Sequence, residues 1–129
     1  MNLFFNKSER IKSRKALEIL LRKGSVHFVF PLRVVWMITE YPIESQAQVA
    51  FAVPKKRFKR ANKRNLIKRR LREAYRLNKY DFYQDLSKKN IHIQMLIVYI
   101  APEILNYKEI EPKIKATFDH IVANIQKTA

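Results

Sequence analysis

The chain has 129 residues, 47% of them hydrophobic, and carries 27 Lys and Arg against 11 Asp and Glu, a formal net charge of +16. That size and apolar share support one domain, residues 1–129, with a core of its own and exclude a disordered basic tail; the charge strains the folded state and points to a polyanion, either nucleic acid or an anionic membrane. The membrane is disfavoured because no apolar run approaches the ~20 residues of a spanning helix.

No signal-peptide core is present at the start, so the cytoplasm is expected. There is no Cys and a single Gly, Gly24, which excludes disulfides, thiolate metal sites and Gly-rich phosphate loops. In chain order, Ser13 caps a helix that runs to Lys23, with Leu17, Leu20 and Leu21 inward and Gly24 as terminator. From Val26 to Thr39 the residues are β-branched and aromatic but broken by Pro31, a bent or interrupted strand. A polar loop covers 40–47. Gln48 to Val53 alternates, with Val49, Phe51 and Val53 on one face, and is expected to pair with the preceding strand. After a basic loop, 54–61, Asn62 caps a helix to about Asn78, and 80–90 reads as a loop or short helical turn. Ile91 to Ile100, apolar on both faces, is the central strand. A last helix, about Tyr107 to Gln126, carries Ile110, Ile114, Phe118, Ile121, Val122 and Ile125 as its core stripe. The pattern is α-β-β-α-β-α, an α+β fold of helices on a small sheet.

The charge is concentrated. Between Lys55 and Lys79 stand thirteen Lys or Arg and one acid, Glu73, so twelve of the sixteen net charges fall in 25 residues. On a helix, Ile67, Leu71 and Ala74 share the inner side, while Arg64, Lys68, Arg72 and Arg76 follow at i, i+4, i+8 and i+12, flanked by Asn65 and Arg69. This stripe is about 18 Å long. Like charges at i, i+4 each weaken a helix by roughly 0.2–0.5 kcal/mol, a cost that a bound polyanion reverses. Arg forks onto phosphate oxygens and stacks on bases. A solvated helix face would interleave acids, and only Glu73 interrupts this run.

Lys55-Lys56 followed by Arg64-Asn65, Lys68-Arg69, Arg72-Glu73 and Ala74-Tyr75 closely resembles the signature of the bacterial ribonuclease P protein, and the element order agrees over nearly the whole chain. The sequence differs at Leu66, usually basic, at Arg70, often aliphatic, at Phe58-Lys59-Arg60, where many members have a Gly-containing turn, and at Leu17 and Leu21, where many carry Phe. The resemblance implies a fold like domain 2 of ribosomal protein S5, a small mixed sheet with a left-handed βαβ crossover. It implies an RNA-binding subunit that assists a catalytic RNA, with Mg²⁺ held mainly by that RNA and its substrate, in removing the 5′ leader from precursor tRNA. Lys55, Lys56, Lys59, Arg60, Arg64, Asn65, Lys68, Arg69, Arg72 and Arg76 would then contact the RNA subunit. Leu17, Leu21, Arg33, Val35, Trp36 and Met37 would form a groove for the leader, with Arg33 contributing most. No membrane and no obligate protein partner are expected.

Catalytic residues are not expected in the chain itself. A nuclease site needs converging carboxylates or histidines, whereas the acids are spread from Glu9 to Asp119 and His27, His92 and His120 are each alone in their elements. His92 reads as a hydrogen-bonded structural residue in a strand. Trp36 reads equally as a stacking platform or as a partly buried strand aromatic. Two alternatives remain, a ribosomal RNA-binding protein and a DNA-binding module; the latter lacks a helix-turn-helix pair or zipper.

Overall fold

Alternating burial along the strands builds a four-stranded sheet with two unequal faces. The computed structural model describes residues 4–39 and 43–128. They run as a 3₁₀ turn (Lys7–Glu9), α1 (Arg14–Lys23), β1 (Ser25–Val29), β2 (Leu32–Ile38), β3 (Ala47–Ala52), α2 (Ala61–Lys88), β4 (Ile93–Tyr99) and α3 (Tyr107–Thr128). The sheet order is β1-β2-β4-β3. β2 is antiparallel to both β1 and β4, and β3 is parallel to β4.

Leu32, Val34 and Trp36 of β2, Ala47 and Val49 of β3, and Ile93, Met95, Ile97 and Tyr99 of β4 join one buried cluster with α2 and α3. From the helices come Ile67, Leu71, Tyr75, Phe82 and Leu86 of α2 and Ile110, Ile114, Phe118, Ile121 and Ile125 of α3. Tyr75 sits at its centre, edge-on to Phe5, Phe51 and Phe118 with centroids 5.4–5.8 Å away, and Phe82 stacks on Phe118 at 4.4 Å. Such pairs add about 0.5–1.5 kcal/mol each beyond their buried area. Among the described residues α1 packs on the opposite face of the sheet, against β2 and β4.

The structure corrects several expectations. The segment broken at Pro31 is a hairpin of two strands, β1 and β2, with a cis Phe30–Pro31 bond between them. β3 pairs with β4 and not with β2, because the long helix between β3 and β4 spans a parallel crossover. Asn62 lies inside α2, whose N-cap is Arg60. The segment 80–90 is largely helix. Phe82 and Leu86 continue the inner stripe of Ile67, Leu71 and Tyr75 at three- and four-residue steps, so packing carries α2 on to Lys88. Gly24 ends α1 in extended geometry, φ −70° and ψ 155°, and not in the left-handed conformation typical of a glycine stop. It is needed for closeness: a Cβ there would lie 2.5 Å from the Leu20 carbonyl oxygen and 2.6 Å from Val35 Cγ1. Leu21 is 54% exposed, leaving Leu20 as the buried anchor of α1. Residues 40–42 of the expected loop lie outside the described residues.

Candidate nucleic-acid interface

The basic side chains of α2 are of several kinds. Arg70 reaches across to the β4–α3 connection and donates from Nη1 to the Leu105 carbonyl at 2.6 Å. Arg76 is tied to Glu73 at 2.5 Å, an exposed i,i+3 pair worth little by itself; the guanidinium holds the Glu73 carboxyl below its ordinary range. The third kind is turned outward. The side chains of Lys68, Arg69 and Arg72, with Asn65 beside them, hold no hydrogen bond or ion pair among the described residues.

Arg64 binds inward as well as carrying charge. Both Nη1 hydrogens go to the preceding loop, to the carbonyls of Phe58 and Lys59 at 2.8 Å each. The Phe58 ring is buried against Tyr99, centroids 6.0 Å apart. Ring and guanidinium together pin the loop that presents Lys55, Lys56, Lys59 and Arg60, all exposed. The expected RNA-binding residues thus form one surface of loop plus helix flank, with Arg76 the member already paired to an acid.

The C-terminal half of α2 holds the N-terminal segment. Lys79 and Glu9, each 3% exposed, form an ion pair at 2.5 Å. Glu9 also accepts from the Tyr83 hydroxyl at 2.7 Å and from the Asn6 backbone N–H at 2.7 Å. Tyr83 and Tyr75 hydroxyls lie 2.8 Å apart, and burial pushes both phenols well above their ordinary range, so they serve as neutral hydrogen-bonding groups. The segment so anchored adds a short parallel bridge, Arg10 to Val49, at the β3 edge and leads into α1.

On the α1 side, strand register sorts the open face of the sheet into rows. Val26, Val35, Leu96 and Ala50 are consecutive neighbours in one row, and Phe28, Arg33, Val98 and Ala52 in the next. α1 lies over the first row: Val35 is buried and abuts Gly24. The second row is uncovered, with Phe28 exposed and Arg33, Val98 and Ala52 half-buried. The Arg33 side chain has no hydrogen-bond or ion-pair partner among the described residues. Leu17 is half-buried and Leu21 exposed on α1, and Met37 lies on the same sheet face as Arg33.

Two expected groove residues are misplaced. Val35 is covered by α1. Trp36 points to the opposite face, 7% exposed within the core, its indole N–H without a partner. Alternation puts residues 33, 35 and 37 on one face, so 36 must lie on the other. The sequence reading also missed Phe28. The signal was present: Val26 and Phe28 alternate with His27 and Val29 along an edge strand. Beyond the other flank of α1, toward β3, lies a cleft of about 700 Å³ lined by Arg10, Lys12, Lys15, Ile19, Gln48 and Gln94. Gln94 donates to Gln48 at 2.9 Å on its floor.

The three histidines are engaged within the fold. His92 Nδ1 lies 2.8 Å from the Ser45 carbonyl. His27 of β1 stacks on His120 of α3, centroids 3.6 Å apart, and burial with the neighbouring His120 lowers the His27 pKa. Among the described residues no three His, Asp or Glu converge to hold a metal ion, and no helix is long and apolar enough to cross a membrane.

A family model for Ribonuclease P matches residues 5–122. A ribonuclease P protein component from Porphyromonas gingivalis is 32% identical over 124 residues, covering 96% of this chain and 90% of the relative. One from Buchnera aphidicola is 30% identical over 95 residues, covering 70% and 81%. The fold is that of the Staphylococcus aureus RNase P protein, TM-score 0.69 at 20% identity over 94% of this chain and 97% of that one. It is also that of the Thermotoga maritima protein, TM-score 0.67 at 16% identity over 87% and 96%. The ribosomal alternative finds no support in these matches. With the Lys55-Lys56 loop and the Arg64 to Arg72 helix flank on one surface, the chain belongs to the ribonuclease P protein component family, the protein subunit of the tRNA-processing endoribonuclease.

Proposed function

We propose that the chain grips the ribonuclease P RNA with the loop 54–60 and the outer flank of α2, and receives the 5′ leader of precursor tRNA on the open face of the sheet beside α1. The observation that carries this reading is the division of cations. Lys68, Arg69 and Arg72 face outward beside the pinned basic loop, and Arg33 stands alone on the uncovered sheet row. Folded arginines without partners retain their full capacity for phosphate, and a structured RNA is the polyanion that the family supplies. A single-stranded leader suits the sheet face, where flat apolar surface and backbone-directed charge combine.

Hydrolysis falls to the RNA subunit. Among the described residues the acids are too dispersed to fit a Mg²⁺ site, so phosphates of the RNA and the substrate would hold the ion, and the protein's part is to bind and position. We place these partners in the cytoplasm and propose no obligate protein partner for the chain.

The test is affinity of the reconstituted holoenzyme for precursor tRNA carrying a single-nucleotide leader and one several nucleotides longer, in wild type and Arg33→Ala. The longer leader should bind more tightly, and Arg33→Ala should remove most of the gain. No gain in the wild type would refute the leader assignment. A gain indifferent to Arg33→Ala would reassign the contact within it. The protein without the RNA subunit should release no leader above background.

A further inference from the structure

An aromatic ring held open to solvent on a rigid strand is costly to leave bare. Phe28 is 64% exposed, and Leu21, Val26 and Phe30 nearby in sequence are each at least half exposed. β1 is an edge strand whose other face is engaged: His27 stacks on His120, and Val29 packs on the core. Phe28 is therefore fixed in direction. Its register partner across the hairpin is Arg33, whose own neighbour is Val98 and then Ala52. The row thus reads, from edge to edge, aromatic ring, unpartnered guanidinium, branched aliphatic and methyl. Two residues past Ala52 the chain turns through Pro54 into Lys55 and Lys56. Three inter-strand steps of about 4.8 Å make this a track of roughly 14 Å. α1 carries Leu17 and Leu21 on the flank away from the cleft and offers no ring.

We infer that Phe28 is the platform on which a base of the 5′ leader stacks, and that the leader crosses the strands along this row, from the Lys55–Lys56 end toward β1. The inference rests on the leader reading proposed above and names the residue and the direction within it. The chemistry is specific to single-stranded RNA: the ring takes a base face, Arg33 takes the phosphate beside it, and the small Ala52 leaves room where the strand enters. A protein partner would not need an unpartnered guanidinium between two apolar groups, and a helical RNA would hide its base faces.

The experiment uses the holoenzyme with its cognate RNA subunit and expresses each result as the ratio of precursor to mature tRNA affinity. Abasic nucleotides are introduced one at a time along the leader. In the wild type one position should lower the ratio by about five- to tenfold, the lower end of what an aromatic–base stack contributes. In Phe28→Ala and Phe28→Leu the ratio should already be lowered by that factor, and the same abasic position should have no further effect. Phe28→Trp should restore it. Because the side chain lies outside the core, all three variants should unfold at the wild-type temperature. If the leader tightens wild-type binding but Phe28→Ala leaves the abasic profile unchanged, the inference fails while the leader reading stands. If the profile is instead abolished by Lys12→Ala with Lys15→Ala, the leader lies in the cleft on the other flank of α1. If leader length has no effect in the wild type, both fall.

Discussion

Arg64 allows the RNA surface to be tested for organisation as well as charge. In Lys68→Ala one outward cation is lost. If it neutralises one phosphate, the slope of log K against log[salt] should become shallower by about one unit. Arg64→Ala removes a cation and also two 2.8 Å hydrogen bonds to the Phe58 and Lys59 carbonyls. Charge-assisted hydrogen bonds contribute roughly 1.5–3 kcal/mol each, less where water reaches them, so a total near 2 kcal/mol is expected to leave the loop. A loss of that size shifts the loop toward other conformations by roughly thirtyfold, and the phosphate contacts of Lys55, Lys56, Lys59 and Arg60 are then made only in part. The slope for Arg64→Ala should therefore become shallower by about two units or more, against one for Lys68→Ala. Arg64→Lys should keep the charge and still lose slope, since an ammonium lacks the planar fork. The assay is equilibrium binding to the ribonuclease P RNA over a salt series, with Phe58→Leu as a second way of loosening the loop. Equal slope changes for Arg64→Ala and Lys68→Ala would refute the pinning argument. No change in either would remove α2 from the interface.

Other outcomes follow from the same structure. Glu9→Gln or Lys79→Met leaves one member of a buried ion pair uncompensated, so either should cost about 3 kcal/mol, roughly 10 °C in melting temperature for a chain of this length, while the double variant recovers most of it. Gly24→Ala drives a methyl into Leu20 and Val35 and should lift α1 from the sheet; leader-length dependence should fall while binding to the RNA subunit, measured alongside, persists. His27 has a lowered pKa in the folded state through burial and the adjacent His120, so its contribution is intact above the ordinary value near 6.5 and is lost as pH falls below it. The urea midpoint of wild type should thus fall relative to that of His27→Phe on acidification, and parallel curves would contradict the assignment.

What the sequence disclosed depended on whether one element or two had to be considered. Helical and strand periods located α1, β3, β4 and α3, and the charge run located the cationic surface, because each is a property of a single element. Pairing is not. The alternation of Val49, Phe51 and Val53 shows a strand but cannot say that its neighbour is β4, some forty residues on. The far half of α2 was missed for a related reason. Between Asn78 and Asn90 polar residues outnumber apolar ones, and helix is favoured only once Phe82 meets Phe118 and Lys79 meets Glu9. In the groove, alternation already separated Trp36 from Arg33 and Met37. Burial of Val35 was invisible because it depends on where α1 docks.

The length of α2 bears on how such a cationic helix exists before RNA arrives. Arg64, Lys68, Arg72 and Arg76 set three like-charge i,i+4 contacts, opposing the helix by roughly 1 kcal/mol in total. The N-cap, Arg60, makes no side-chain capping bond, and the first turn carries no acid to favour the dipole. Left to itself, the first half of α2 would be a poor helix. The second half changes that. Phe82 and Leu86 are fully packed, and burial of each is worth about 1.5–3 kcal/mol. The helix is one cooperative unit, so packing near its C-terminus offsets repulsion near its N-terminus. The same half, through Lys79, holds the segment that leads to α1, and α1 borders the sheet row that holds Phe28 and Arg33. Loosening Lys79 should therefore weaken both surfaces, whereas removing an outward arginine should weaken only the contact with the RNA subunit.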